Sequence, residues 1–169
     1  IGSVYEQQGS YQEALEYYSN AFAIKEKIGD KKGMAYSYNS IGTIQESEGK
    51  YAEALKNHLL ALDIIKAVGD KRGMAGFYKS VGEALEKLGK HSEAQKNILT
   101  SLEIGQEIGN KEVVKESCES LFELFKSYGD FENAWKYDER CHKVESEVLA
   151  QQIQRQLTKT NCMHNMERK

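Results

Sequence analysis

The chain has 169 residues, of which 40% are hydrophobic and 29% charged; it contains no proline and carries a net charge of −3. This balance is typical of a folded globular protein, and the negative charge argues against binding to nucleic-acid phosphates, which needs a concentrated basic face. The sequence contains no apolar run close to the ~20 residues that a bilayer span requires. Since proline is missing and Ala, Leu, Glu, Lys and Gln are frequent, we expect helix along nearly the whole chain.

A repeat of 40 residues runs along the sequence. The four segments in register begin at Ile1, Ile41, Val81 and Leu121. Each has a glycine, then an aromatic residue or histidine two positions later, and an alanine three positions further on. The near-identical heptapeptides GDKKGMA and GDKRGMA, which start at Gly29 and Gly69, belong to the same repeat. A period of this length indicates stacked supersecondary units.

Within each unit, the apolar spacing predicts two antiparallel helices of about seventeen residues joined by tight turns. In the second unit, Asp30 can cap the first helix and Gly49 can end it with a positive φ. Asp70 and Asn110 are the corresponding caps of the next units, and Gly89 and Gly129 are the corresponding glycines. The predicted buried stripe of the second helix, which Gly69 ends, is Ala54, Leu55, His58, Ala61, Leu62 and Ile65.

Two local features refine this prediction. The segment SYQE, from Ser10 to Glu13, matches a capping box at the start of a helix. Gly2, Gly42 and Gly82 recur at one position of the first helices, where an internal glycine costs about 1 kcal/mol relative to alanine. We therefore expect a neighbouring helix to approach closely at these glycines.

The pattern IG-x6-GKYAEAL-x5-AL, from Ile41 to Leu62, resembles the tetratricopeptide repeat, and the resemblance extends from Ile1 to about His142. The period is 40 residues rather than the common 34. In this it resembles adaptors related to partner of inscuteable and the sensor regions that precede histidine kinase or nucleotide cyclase domains in bacteria. Kinesin light chains have a similar, slightly longer period. The resemblance implies an all-α, right-handed superhelical solenoid of antiparallel helix pairs with a longer C-terminal helix.

We expect about four units followed by a C-terminal capping or connector helix with a tail. The expected boundaries are 1–30 for a truncated first unit, 31–70, 71–110, 111–142 for a degenerate last unit, and 143–169 for the C-terminal segment. That segment keeps a narrow apolar stripe, which should pack on the last unit and then project: Val144, Val148 or Leu149, Ile153 and Leu157. Because the sequence starts at Ile1 in mid-pattern, we also expect a longer natural protein.

No catalytic residue, cofactor or metal site is predicted. His58, His91, His142 and His164 lack the spacing of metal ligands, and His58 should be a packed, satisfied core residue. Glutamates such as Glu83 and Glu86 are explained by a solvated helical face. The turn GDKKG could bind phosphate, but we expect Asp30 to occupy the free N–H groups as a cap.

The cysteines also give no sign of chemistry. Cys118, Cys141 and Cys162 match no zinc or disulfide spacing, and their odd number favours reduced thiols. Together with the composition, this predicts a cytoplasmic location.

In the family that the sequence resembles, the first helices of successive units line a concave groove. Carried over by register, the principal groove residues are Tyr36, Asn39, Thr43, Glu46, Lys79, Glu83, Glu86, Glu116, Glu119 and Glu123. Ser47, Gly76, Lys87, Lys126 and Ser127 continue the row, with Ser3, Glu6 and Gln7 in the first unit. Carboxylates outnumber lysines here, which favours a basic partner unless the acidic surface is only solubilising. The Lys, Asn and Arg clamp of chaperone-binding members is missing.

The sequence therefore predicts a non-catalytic protein–protein interaction module with a regulatory or scaffolding role and a peptide or protein partner. Neither nucleic acid nor membrane is expected as a partner. The alternative is the sensory input region of a signalling enzyme, which would transmit through the C-terminal helix. Self-association through the ends of the solenoid is a third hypothesis.

Overall fold

The structure, a computed structural model, describes residues 10–167. These residues form α-helices joined by short turns, and no strand occurs among them. The helices are α1 (Tyr11–Lys27), α2 (Lys31–Ser47), α3 (Tyr51–Val68), α4 (Lys71–Lys87), α5 (His91–Glu107), α6 (Lys111–Ser127) and α7 (Phe131–Glu167). Gly2, Ser3, Glu6 and Gln7 lie outside the described residues, as do the side chains of Cys162 and His164.

The helices pack in consecutive pairs. Contacts are most extensive between α2 and α3, between α4 and α5, and between α6 and α7. Smaller contacts join α2 to α4 and α4 to α6, so the first helices of successive units are neighbours. The predicted all-α solenoid of helix pairs is confirmed.

A glycine with positive φ follows each of the first six helices at intervals of 20 residues. The φ angles of Gly29, Gly49, Gly69, Gly89, Gly109 and Gly129 lie between 62° and 82°. At most of these turns the next N–H bonds back to a carbonyl five residues earlier, as from Asp30 to Lys25 at 2.9 Å. This is the Schellman arrangement, which satisfies free carbonyls at a helix end. Two such turns make up one 40-residue unit, and the predicted helix ends are confirmed.

The predicted caps of the first helices are also confirmed. Asp30 Oδ1 accepts a hydrogen bond from the N–H of Gly33 at 2.8 Å. Asp70 Oδ1 does the same for the N–H of Gly73 at 3.1 Å, and Asn110 Oδ1 is 3.3 Å from the N of Val113.

The predicted capping box at Ser10 is wrong. Ser10 precedes α1, but its side chain makes no capping hydrogen bond. Lys50 and Lys90 occupy the same position in the next units with nearly the same ψ (60° and 61°, against 65° at Ser10) and also give no side-chain cap. At this position the conformation of the turn, rather than the side chain, starts the helix.

Paired helices approach closely at the glycines that the sequence singled out. A Cβ added to Gly42 would lie 2.6 Å from Cε1 of His58. At Gly82 it would lie 2.4 Å from Cγ1 of Ile98 and 3.1 Å from the carbonyl oxygen of Ala94. Because real Cβ atoms do not tolerate such distances, each glycine admits a large side chain of the paired helix.

The core is continuous along the pairs rather than central. In α3 the predicted stripe is confirmed: Ala54, His58, Ala61, Leu62 and Ile65 are buried and Leu55 is half-buried. The core continues through the later pairs as far as Cys141. It also holds a polar pair that sequence reasoning missed, the buried hydroxyls of Ser101 and Ser117, which lie 2.8 Å apart.

Helix α7 passes residue 142 without a break, and the boundary placed there stays a prediction. Its first half is held along α6 by the half-buried Val144 and by ion pairs from Lys111 to Glu147 (3.0 Å) and from Lys115 to Glu145 (2.9 Å). Leu149, Ile153 and Leu157 are exposed farther along the helix. None of the described helices is long and apolar enough to cross a membrane.

The close approach at Gly82 predicts a difference between two glycines of α4. Gly82→Ala should lower the free energy of unfolding by about 1–3 kcal/mol, because the added methyl group meets Ile98 and a backbone carbonyl. Gly76→Ala is the control, since the described structure leaves open space for its methyl group, and it should stabilise the helix by about 0.5–1 kcal/mol. Urea unfolding measures both, and equal effects would contradict the proposed contact.

Candidate functional site

Helices α2, α4 and α6 form one side of the solenoid and enclose a groove with a volume of about 480 Å³. The lining residues are Glu46, Tyr51, Lys79, Glu83, Glu86, Lys87, Glu116, Glu119, Ser120 and Glu123. Six carboxylates and two ammonium groups thus surround this space. A concave surface with one dominant sign of charge concentrates its electrostatic field toward the groove.

Most of the residues that the register predicted come together here. Seven of the ten principal residues line the groove, and their role in binding stays a prediction. Sequence reasoning missed Ser120, although it follows Glu116 by one helical turn and so faces the same way. It also missed Tyr51, because the carried-over pattern covered only first helices and Tyr51 begins a second helix.

Tyr36, Asn39 and Thr43 do not line this groove. The Tyr36 ring packs edge-on against Phe77 at 5.1 Å between centroids. Asn39 directs Oδ1 toward His58, and Thr43 donates a hydrogen bond to the Asn39 carbonyl within α2. Local contacts thus occupy these side chains at the α2 end of the row.

The Lys79 ammonium group lines the groove and neutralises part of its negative charge. Its Nζ lies 3.0 Å from Glu116 Oε2 and 3.9 Å from Glu83 Oε1. Burial opposes the charge of this ammonium group, but the carboxylates of Glu83 and Glu116 outweigh it and raise the pKa of Lys79. Ser120 also donates a hydrogen bond to Glu83 Oε1 at 2.7 Å. Glu83 and Glu116 are therefore engaged within the protein.

The other carboxylates of α4 and α6 have weaker partners. Glu119 is 3.6 Å from Lys115, and Glu123 is 3.4 Å from Lys126. Glu86 is 3.8 Å from the exposed Lys87. Glu119 and Glu123 are exposed, and exposed pairs at such distances contribute little energy, so these two carboxylates can exchange partners readily. The Glu86 side chain is only 15% exposed, and Lys87 is its one ion-pair partner among the described residues.

At the α2 end of the groove, Glu46 meets a buried histidine. His58 has no exposed surface; its Nδ1 lies 2.8 Å from Asn39 Oδ1 and its Nε2 lies 3.6 Å from Glu46 Oε1. Neither His58 Nε2 nor Glu46 Oε1 has a hydrogen-bond partner among the described residues. The expectation of a packed core histidine is confirmed, but the expectation that it is fully satisfied is wrong, because Glu46 stops just beyond hydrogen-bond distance.

The buried thiols show no features of reactive cysteines. Cys118 and Cys141 are both unpaired and buried. Burial raises the pKa of both thiols, that of Cys141 to about 12. A protonated thiol is a poor nucleophile.

At the GDKKG turn, Asp30 already accepts from the N–H of Gly33, the group that a phosphate would need. Among the described residues, no cluster of three or more His, Cys, Asp or Glu side chains could hold a metal ion.

Comparison with known proteins agrees with this architecture. Residues 1–67 match the family model for the tetratricopeptide repeat. No curated protein sequence matches the chain.

Solved structures of similar fold include three helical-repeat proteins. A Rap protein complexed with Competence and Sporulation Factor has a TM-score of 0.81 at 20% identity, over 87% of this chain and 41% of the other. BtubC from P. vanneervenii has a TM-score of 0.75 at 19% identity, over 87% of this chain and 61% of the other. A putative kinesin light chain of P. anserina, with nearly identical TPR-like repeats, has a TM-score of 0.70 at 16% identity, over 89% and 74% of the two chains.

Stacked helix pairs with a groove along their first helices define an α-solenoid repeat protein. The family model for the tetratricopeptide repeat covers residues 1–67, and helix pairs of the same 40-residue unit continue beyond residue 67.

The position of Lys79 predicts a salt-dependent loss of stability. Lys79→Gln should lower the free energy of unfolding by about 1 kcal/mol at low salt, because Glu83, Glu116 and Glu119 are then left without a shared cation. Added salt should remove much of this loss by screening. Lys87→Gln is the control, since this exposed lysine pairs only with Glu86 among the described residues. Thermal unfolding at two ionic strengths compares them, and identical behaviour would contradict a central role for Lys79.

Proposed function

We propose that the chain is a non-catalytic interaction module, with a regulatory or scaffolding role, that binds a protein or peptide segment in the groove of α2, α4 and α6. The observation that carries this proposal is the row of carboxylates on three neighbouring first helices. The similar Rap protein, whose structure holds Competence and Sporulation Factor, adds support at the level of the fold.

The partner that fits this groove is basic. Lys79 shows how an ammonium group is held, since it bridges carboxylates of α4 and α6. Lysine or arginine side chains of a partner can make the same contacts with Glu86, Glu119 and Glu123, which have only weak partners. The field of the groove also accelerates association with a positively charged segment.

The competing explanation is that these glutamates only keep the surface soluble, because exposed glutamate is common on long helices. A test must therefore separate groove charge from total charge. Glu53, Glu93 and Glu103 supply a matched set, since all three are exposed, lie on second helices and are not among the residues that line the groove.

We expect the triple variant Glu86→Gln, Glu119→Gln and Glu123→Gln to weaken the binding of an arginine-rich peptide about tenfold or more and to flatten its salt dependence. The variant with Glu53, Glu93 and Glu103 changed to Gln has the same net charge and should bind like the wild type. Fluorescence anisotropy at several salt concentrations measures both. Equal losses in the two variants would show that total charge, not the groove, attracts the peptide, and the proposal would fail.

A sensory input region of a signalling enzyme is the second candidate. Its support is the continuity of α7, which packs along α6 in the last pair and continues as one helix to Glu167. Hydrogen exchange distinguishes the candidates: a sensor predicts that groove binding changes protection along α7 beyond Leu149, whereas a passive scaffold predicts no change there.

Two further parts of the proposal concern the oligomeric state and the cellular location. The side chains Ala61, Leu62 and Ile65, which are buried in the second unit, are replaced at the same register of the last unit by Cys141, His142 and Glu145. Exposed polar groups at the last two positions disfavour stacking of a second copy at this register, so self-association through a solenoid end gains no support from these positions. The odd number of cysteines, with Cys118 and Cys141 unpaired among the described residues, supports a cytoplasmic setting.

A further inference from the structure

His58 Nε2 and Glu46 Oε1 face each other in the structure. These two atoms can form a hydrogen bond only when Nε2 carries a proton. With the Asn39 amide oriented so that Oδ1 faces the ring at 2.8 Å, this oxygen accepts and the His58 Nδ1 is the donor. In the neutral imidazole, Nε2 is then an acceptor, and it points at Glu46 Oε1, another acceptor, 3.6 Å away. Both atoms are removed from solvent. A proton on Nε2 converts this repulsion into a charge-assisted contact.

Glu46 is therefore shared between the core and the groove. Its side chain lines the groove beside Tyr51 and Lys79, while Oε1 faces the histidine behind it. When His58 is protonated, its charge neutralises Glu46. When His58 is neutral, the charge of Glu46 is uncompensated by any other ion pair among the described residues.

We propose that Glu46 is a subsite for an ammonium or guanidinium group of the bound segment and that the protonation of His58 switches this subsite off. The inference rests on the proposed function of the groove and adds its regulation by protons. A basic segment binds more tightly as the pH rises, because His58 then releases its proton and Glu46 becomes available. By linkage, a bound segment favours neutral His58, so binding at mildly acidic pH releases a proton.

The other charged groups near Glu46 do not explain such a pH dependence. On α2, His58 also contacts Asn39 and Gly42, which carry no charge. On α4 the groove residues are Lys79, Glu83, Glu86 and Lys87, and on α3 it is Tyr51. Side chains of these types do not ordinarily titrate between about pH 5.5 and pH 8, where imidazole does.

His142 is the histidine that needs a control. It lies on α7 near Asp138 and Glu145, and it shares a second surface depression with Glu119 and Glu123. His142→Gln removes its titration without touching the α2 end of the groove. His91, the other described histidine, packs on Tyr128 and is not among the residues that line either depression.

The test measures the Kd of a labelled peptide of alternating arginine and alanine at about pH 5.5 and about pH 8, at constant ionic strength. Wild type and His142→Gln should bind about three- to tenfold more tightly at the higher pH. His58→Ile should bind tightly at both pH values, and Glu46→Gln weakly at both. Isoleucine should fit at position 58, because Ile98 occupies the same register of the next unit and packs against Gly82.

The possible results distinguish the His58 switch from the groove binding on which it rests. If wild type, His58→Ile and Glu46→Gln share one pH dependence, the switch is wrong while groove binding stands. If His58→Ile does not fold, Glu46→Gln decides alone: loss of the pH dependence supports the switch and its persistence overturns it. If wild type fails to bind the peptide at either pH, the proposed function is wrong and the switch falls with it.

Discussion

The close contact between the two helices of each pair is the constraint on which the rest of the structure depends. Gly42 admits the ring of His58, and Gly82 admits Ile98. These contacts hold the helices of the pairs α2–α3 and α4–α5 together, and the positive-φ glycines return the chain after each of the first six helices. The first helices consequently lie side by side, and side chains 40 residues apart come to line one groove.

Ion pairs inside the groove determine which of its carboxylates remain available to a partner. Lys79 engages the central carboxylates of Glu83 and Glu116, so the cost of bringing like charges together is offset within the protein. Glu119 and Glu123, nearer the α7 side, have weaker partners. At the α2 end, the core side chain His58 reaches Glu46 from behind. The same helix pairing that builds the scaffold thus sets the charge at one end of its binding surface.

The sequence predicted features that depend on local chemistry or on register. Asp30 and Gly49 indicated helix ends because caps and left-handed turns require particular residues. Glu83 and Glu123 were placed in the groove because they share one register. Sequence-based prediction failed where the surrounding structure decides the conformation. The helix α1 begins without a side-chain cap from Ser10, and Asn39 points toward His58 instead of the groove. The meeting of His58 and Glu46 could not be predicted, since it depends on the depth at which α2 and α3 pack.

The central claim is that ligands bind along the first helices, and the most direct test is to map the bound surface by NMR. An arginine-rich peptide added to the isotope-labelled protein at about pH 8 should shift the amide resonances of α4 and α6 around Lys79, Ser120 and Glu123, and those of α2 around Glu46. The second helix α5 should remain unaffected, because none of its residues lines the groove. Shifts concentrated on α5 or on the exposed stripe of Leu149, Ile153 and Leu157 would contradict the account.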